Sequence, residues 1–262
     1  MTTRDLFLFL AGMVASSINA AAGGGTLLSF PSLIAGGLNP LAANATSTVA
    51  LLPGQLASFW AYRREIAAAR ADAVLIAVPG VVGGALGALL LLRLGNAVFE
   101  VVVPVLLLAA AVLLVLQPTV SRFVARRTGE KREGGRNLFP ALLVSFGVSV
   151  YFGYFGAGAG ILFMGAMGFV LTSRPLGEIN ALKVELASLA NLIAASVFVA
   201  LEVRNPSGAV HWRAAFPLAL GGIFGGYFGV GFVRKLPPGV LRAIAAFVGI
   251  AIGVYLAVRR MT

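Results

Sequence analysis

The chain has 262 residues, 59% of them hydrophobic and 11% charged, with a mean hydropathy of +0.96. A soluble domain is about half apolar and about a quarter charged, so this chain is too apolar to be a water-soluble globule; it is counted instead in membrane spans of about 20 residues. Its net charge of +11 is scattered between apolar runs, which fits topology signals and lipid headgroups rather than nucleic acid; it has no cysteine and one histidine, His211, so thiolate chemistry and a multi-histidine metal site are excluded.

Met1 to Ala22 has the outline of a secretory signal, with Arg4, an apolar stretch and then small residues. Asp5 lies in the region that should be positive, and the same stretch has a counterpart in mid-chain, so residues 1–22 are read as part of the fold. Further apolar runs follow at 26–37, 42–61, 73–92, 96–117, 138–157, 160–172, 176–202, 212–233 and 238–258. They are continuous and rich in Leu and Ala, without alternation, so they are predicted to be helices. The runs at 26–37 and 160–172 are too short to cross about 30 Å of hydrocarbon and are expected as half-helices or second arms of broken helices. Trp60, Tyr62, Trp212 and His211 lie at span ends and read as interfacial residues.

The longest polar segment, SRFVARRTGEKREGGRN at 121–137, carries six basic residues and is placed in the cytoplasm by the positive-inside rule. Counting ten segments, Arg63, Arg64, Arg70, Arg174, Arg234 and Lys235 fall on the same side. Arg4, Arg93, Arg204, Arg213, Arg259 and Arg260 fall on the other. This two-to-one bias places both termini outside, whereas counting each short segment and its predecessor as one span would orient the termini differently.

Shifted by 135 residues, the sequence meets itself. Gly12 meets Gly147, Gly23 meets Gly158, Gly25 meets Gly160 and Pro40 meets Pro175; at an offset of 138, Pro79, Gly83 and Gly87 meet Pro217, Gly221 and Gly225. Glycine and proline matches mark special backbone, and they predict a duplication. Five segments per half is an odd number, so the halves enter the membrane in opposite senses. The predicted fold is an all-α polytopic membrane protein of two inverted repeats, 1–117 and 138–262, joined by a basic cytoplasmic linker at 118–137, with interrupted or short helices after Gly-rich breaks.

The breaks are NAAAGGGTLLSFP at 19–31 and YFGYFGAGAGILFMGA at 151–166. Such backbone is tolerated in a membrane only where protein packs on it or a wet cavity adjoins it. Two readings stand. The glycines either allow close helix packing, as the pairs Gly83/Gly87, Gly221/Gly225, Gly222/Gly226 and Gly249/Gly253 do, or they present the amide ends of short helices to an anion. The short helices that follow favour the anion, which places Gly23, Gly24, Gly25 and Thr26 and their counterparts Gly158, Ala159 and Gly160 at its site.

After each break comes a span with polar residues inside it. The first carries Asn44, Thr46, Ser47, Thr48 and Gln55; the second carries Asn180, Lys183 and Glu185. A lysine within a span costs roughly 2.5–3.5 kcal/mol on insertion scales, so it needs a partner or a function. Lys183 is therefore read as the counter-charge for an anion, with Asn180 on its face; the competing reading is that it snorkels to the interface. Glu185, two residues on, points elsewhere; two readings stand, a carrier of a coupling proton or a structural partner of Lys183 or of a helix end. Glu178 and Glu202, near span ends, read as interfacial.

Gly12, ten residues, and then GGGTLLSFPSLIAGGLNPLAANATS resemble the signature of the TauE/SafE family of sulfite exporters, and the stretch from Gly147 to Lys183 resembles that family's weaker second motif. The likeness covers nearly the whole chain. It rests on the Gly-rich break, Pro31, Pro40 and Ala45-Thr46-Ser47. Where many members have a lysine after the Thr-Ser pair this chain has Thr48, which leaves the charge on Lys183 alone. The resemblance implies export of a small sulfur-containing anion, such as sulfite, sulfoacetate or a similar organosulfonate, across the bacterial inner membrane. A secondary transporter working by alternating access is expected, with an anion channel on the same scaffold as the alternative. No ATP-binding motif, nucleophile–base pair or metal ligand set is present in the sequence, so neither an enzyme nor a cofactor is expected. The expected partners are the anion and the lipid bilayer, and assembly into a homo-oligomer is left open.

Overall fold

The computed structural model describes residues 2–22, 24–127, 138–227 and 238–261, which are helical apart from short turns. Gly23, the linker basics Lys131, Arg132 and Arg136, and the pair Arg234 and Lys235 lie outside the described residues.

Helix α1 (Thr3–Ala22) starts at a reciprocal cap, in which the Thr2 amide donates to the Asp5 carboxylate at 2.7 Å and the Asp5 amide to the Thr2 hydroxyl at 3.3 Å. After the first break, α2 (Thr26–Ala35) runs for ten residues and stops at Gly36 and Gly37, the latter at φ 88°. In α3 (Pro40–Ala61), proline takes the first position and the Asn39 side chain accepts the Ala42 amide at 2.8 Å. A short α4 (Arg63–Ala68) leads into α5 (Arg70–Arg127).

A straight helix of 58 residues would be about 87 Å long, far more than a bilayer. At Gly95 the backbone takes φ 73° and ψ −179°, and the chain doubles back there. Ala73 and Ile76 at the start of α5 share one apolar cluster with Val124 near its end, as two antiparallel arms require. The second arm continues through Arg127, ten residues into the stretch expected to be linker. The rest comprises α6 (Leu138–Tyr154), α7 (Ala159–Val170), α8 (Leu176–Arg204), α9 (Trp212–Tyr227) and α10 (Pro238–Met261). Both runs expected to be short, α2 and α7, are short.

Packing is reciprocal. Gly83 and Gly87, on the first arm of α5, lie against backbone of α6 at Phe146 and Val150; Gly221 and Gly225 on α9 lie against backbone of α1 at Phe9 and Met13. In the same way α5 packs on α8 and α7, while α9 packs on α3 and α10 packs on α2. A Cβ at any of these four glycines would strike main chain, so they are contact points at which two helices touch backbone to backbone.

Phe30 of α2, Phe99 of α5 and Phe155 after α6 form an edge-to-face cluster with centroids 5.6–6.5 Å apart, which locks the second break against the centre of the bundle. At one end Arg174 bridges Asp72, at 2.8 Å, and Glu178, at 2.9 Å, and so fastens the α7–α8 connection to the start of α5. At the other end the Glu202 carboxylate accepts the amides of Ser207, Gly208 and Ala209 and the Ser207 hydroxyl, and the turn before α9 wraps around it. Large apolar side chains face outward along the helices, among them Val78, Val105, Phe216 and Phe247, each about two-thirds exposed or more. That is a surface for acyl chains. Among the described helices, α5 and α8 are both long enough and apolar enough to cross a membrane by those two measures alone.

Candidate functional site

The two breaks meet at one place. A Cβ on Gly24 would lie 3.0 Å from the Leu114 side chain, and one on Gly158 would lie 3.3 Å from Ala110 and 3.4 Å from Leu113. Both loops therefore rest on a single turn of the second arm of α5. Gly158 also holds φ 75° as the residue before α7, a conformation that favours glycine. Gly25 has a third role. It sits against the Ala15 carbonyl and the Asn19 side chain of α1, so that α2 folds back tightly on the helix before it. Gly24, Gly25, Gly158, Ala159 and Gly160 are buried, and Thr26 is half-buried.

Beside this junction is a hollow of about 30 Å³, lined by Asn19 of α1, Gln55 and Ser58 of α3, Phe152 of α6, Gly160 at the start of α7, and Lys183 and Ser188 of α8. It has room for an ordered water and for little more. Lys183 is 3% exposed, and its Nζ has no hydrogen-bond partner among the described residues. Its ammonium is enclosed by protein. The Gln55 side-chain oxygen is likewise buried without a partner among them. Ser58 donates to the Gly54 carbonyl at 3.0 Å and Ser188 to the Gln55 carbonyl at 3.4 Å, which leaves their oxygens to accept.

Of the residues that the sequence points to, Gly160 and Lys183 come together here. Asn44, Thr46 and Ser47 are buried but engaged elsewhere. Asn44 donates to the Tyr154 carbonyl at 2.8 Å, while its Oδ1 is buried without a partner among the described residues, and Thr46 accepts the His211 amide at 2.9 Å. Ser47 pairs with Ser29 of α2 at 2.6 Å. Asn180 is half-buried and does not line the hollow. Glu185 is buried and one carboxylate oxygen lacks a partner among the described residues, but it too is absent from the lining, as its place two residues from Lys183 requires.

Asn19, Ser58 and Ser188 line the hollow without being candidates from sequence, and Gln55 is marked there only as a polar position in an apolar span. The signal that finds Asn19 is its place one turn before a glycine break. A wider hollow of about 740 Å³ opens between the end of α2, Glu100 and the end of α10; none of the candidate residues lines it. Among the described residues no group of His, Asp and Glu is placed to hold a metal ion.

Comparison with known proteins gives the chain its class. The profile described as "Sulfite exporter TauE/SafE" matches residues 8–256. A "Probable membrane transporter protein" of Haemophilus influenzae is 28% identical over 86% of this chain and 84% of its own. Two similar relatives are "Probable membrane transporter protein ORF9" of a Sinorhizobium species, 28% identical over 95% and 91%, and "Probable membrane transporter protein YfcA" of Escherichia coli K12, 28% identical over 92% and 85%. No solved structure matches. An apolar helical bundle with a buried cation that has no partner among the described residues is thus joined to relatives named as transporters, and the chain belongs to the TauE/SafE family of membrane transporters and is not an enzyme.

Proposed function

We propose that the protein exports a small sulfur-containing anion, such as sulfite, sulfoacetate or a similar organosulfonate, across the bacterial inner membrane by alternating access between two inverted repeats, 1–117 and 138–262. The reciprocal packing of α5 on α6 and of α9 on α1 supports the repeats. The family description supports the sulfur anion.

One observation carries the reading: the Lys183 ammonium is buried, lacks a partner among the described residues, and faces a hollow with walls from both halves. An unpaired charge in such a place is costly, and one anion of matching charge supplies what the protein does not. The hollow is too small to hold a sulfur oxyanion without the helices moving, which suits a carrier closed around its site better than an open pore. Glu185, on another face of α8, is the group proposed to carry the coupling proton. The termini are assigned to the periplasm and the linker 118–137 to the cytoplasm.

Counterflow of ³⁵S-labelled sulfite or sulfoacetate into proteoliposomes loaded with the unlabelled anion tests this. Saturable exchange is expected. Absence of exchange with both anions, or single-channel currents in place of slow turnover, overturns it. The cysteine-free chain also allows a clean topology test, with Thr2→Cys expected to label from the periplasmic side.

A further inference from the structure

We infer that Asn19 and Gln55, contributed by the first half, are specificity-determining residues of the anion site, and that with Lys183 they select a pyramidal three-oxygen sulfur head over a planar carboxylate. The inference rests on the exporter reading and names the side chains that would read the solute.

Three observations place them there. Asn19, Gln55 and Lys183 line the same hollow from three helices, α1, α3 and α8. The Gln55 side-chain oxygen is buried without a partner among the described residues, so no contact there holds the amide in one orientation, and the group can turn its NH2 to an anion. Asn19 lies under the first break: a Cβ on Gly25 would lie 2.7 Å from the Asn19 Cβ, so the glycine lets α2 fold onto this residue.

Chemistry then sets the selectivity. The lysine offers three donors, and each amide group turns to offer two more. Phe152 closes one side without donating. With the amides so turned, donors from three helices would match a head whose oxygens diverge from one apex, as in a sulfonate or sulfite. A carboxylate has two oxygens in one plane and leaves at least one buried donor unmet, which is the condition under which a polar site discriminates strongly. Lys183 alone would attract any small anion; the amides provide the discrimination.

The test measures inhibition of ³⁵S-sulfite counterflow by methanesulfonate and by acetate. Wild type should favour methanesulfonate by about tenfold or more, the value of one charge-assisted hydrogen bond. In Gln55→Leu and in Asn19→Ala that preference should shrink to about threefold or less, with sulfite exchange slower than in wild type but still measurable. Gln55→Glu, which sets a carboxylate beside Lys183, should cut sulfite exchange by about 100-fold while leaving a monodisperse, folded protein. Saturable wild-type exchange with an unchanged preference in both folded variants overturns this inference and leaves the exporter reading standing. Absence of wild-type sulfite exchange overturns the reading beneath it, and this inference with it. If Gln55→Leu does not fold, Gln55→Met and Asn19→Ala decide the matter by the same ratio.

Discussion

Helices α3 and α8 follow the two breaks, and both carry polar side chains inside apolar spans, yet the structure disposes of Asn44, Thr46 and Ser47 on the first and of Lys183 and Glu185 on the second in opposite ways. On α3, Asn44, Thr46 and Ser47 each reach another element: the end of α6, the start of α9 and the middle of α2. On α8, Lys183 and Glu185 are buried with polar atoms that reach no partner among the described residues. A polar side chain in a membrane needs a partner. Where the protein supplies it, the residue is scaffold. Where the protein does not, a solute or a proton is the remaining candidate. The contrast separates residues that hold the bundle from residues that work in it, and each variant below is aimed at one side of it.

The largest effect should come from Lys183→Ala. Removing the cation that lines the hollow should lower kcat/KM for sulfite exchange by about 100-fold or more, roughly 3 kcal/mol of transition-state binding. The fold should survive, because deleting a buried charge that has no partner among the described residues removes a desolvation cost. Exchange at the wild-type level would detach the lysine from the site. Glu185→Gln should divide transport differently. Counterflow needs no net coupling and should persist, whereas accumulation driven by a proton gradient should fall to the no-gradient level. Intact gradient-driven accumulation in this variant would remove the proposed coupling role.

The α3 residues should show the reverse pattern. Asn44→Ala leaves the Tyr154 carbonyl without its donor, and Thr46→Val leaves the His211 amide without its acceptor. Each should lower stability in detergent by about 1–3 kcal/mol, the cost of a buried group left unmet. The KM for sulfite should stay within about twofold, because a residue that binds only the scaffold has no differential contact with the solute. A large rise in KM at unchanged stability would move these residues back to the site.

The glycines allow the same division within one residue type. Gly25→Ala drives a methyl group into the Ala15 carbonyl and the Asn19 side chain, which should cost about 1–3 kcal/mol and displace Asn19 from the hollow. At Gly147, which aligns with Gly12 in the sequence, an added methyl group would meet nothing within 4 Å. Gly147→Ala should therefore be neutral or stabilise α6 by about 0.5–1 kcal/mol through helix propensity. Thermal unfolding of the two variants measures the difference directly.

Much of this is legible in the sequence, for physical reasons that can be named. Twelve or so apolar residues cannot cross about 30 Å, so α2 and α7 have to be short. Lys183 stands out because a lone cation in an apolar span has few harmless explanations. The end of α5 is not legible, since Pro118 and the arginines after it resemble a stop, whereas the helix absorbs them and runs on to Arg127. The amides are the harder case. Asn44 and Gln55 look alike in sequence, eleven residues apart on one helix. Only the packing shows that Asn44 ends on a carbonyl of α6 while Gln55 ends at a hollow. Sequence says that a polar group needs a partner, and tertiary structure says whether the protein is that partner.

The smallest expected effect is the sharpest check on the contrast between the two helices. Thr48 occupies the position that corresponds to Lys183 under the 135-residue shift, and its hydroxyl donates to the Asn44 carbonyl one turn back, at 3.0 Å. That carbonyl belongs to the ladder of α3, so the hydroxyl bond is a second, dispensable one. Thr48→Ala should change stability by less than about 0.5 kcal/mol, since it removes a group that satisfies itself within its own helix. Exchange kinetics should be unchanged as well. If the two halves instead offered equivalent sites, Thr48 would face the solute in one half of the cycle as Lys183 does in the other, and its loss would raise the KM. A flat result thus assigns the charge-reading function to α8 alone, and a raised KM would require a second solute contact on α3.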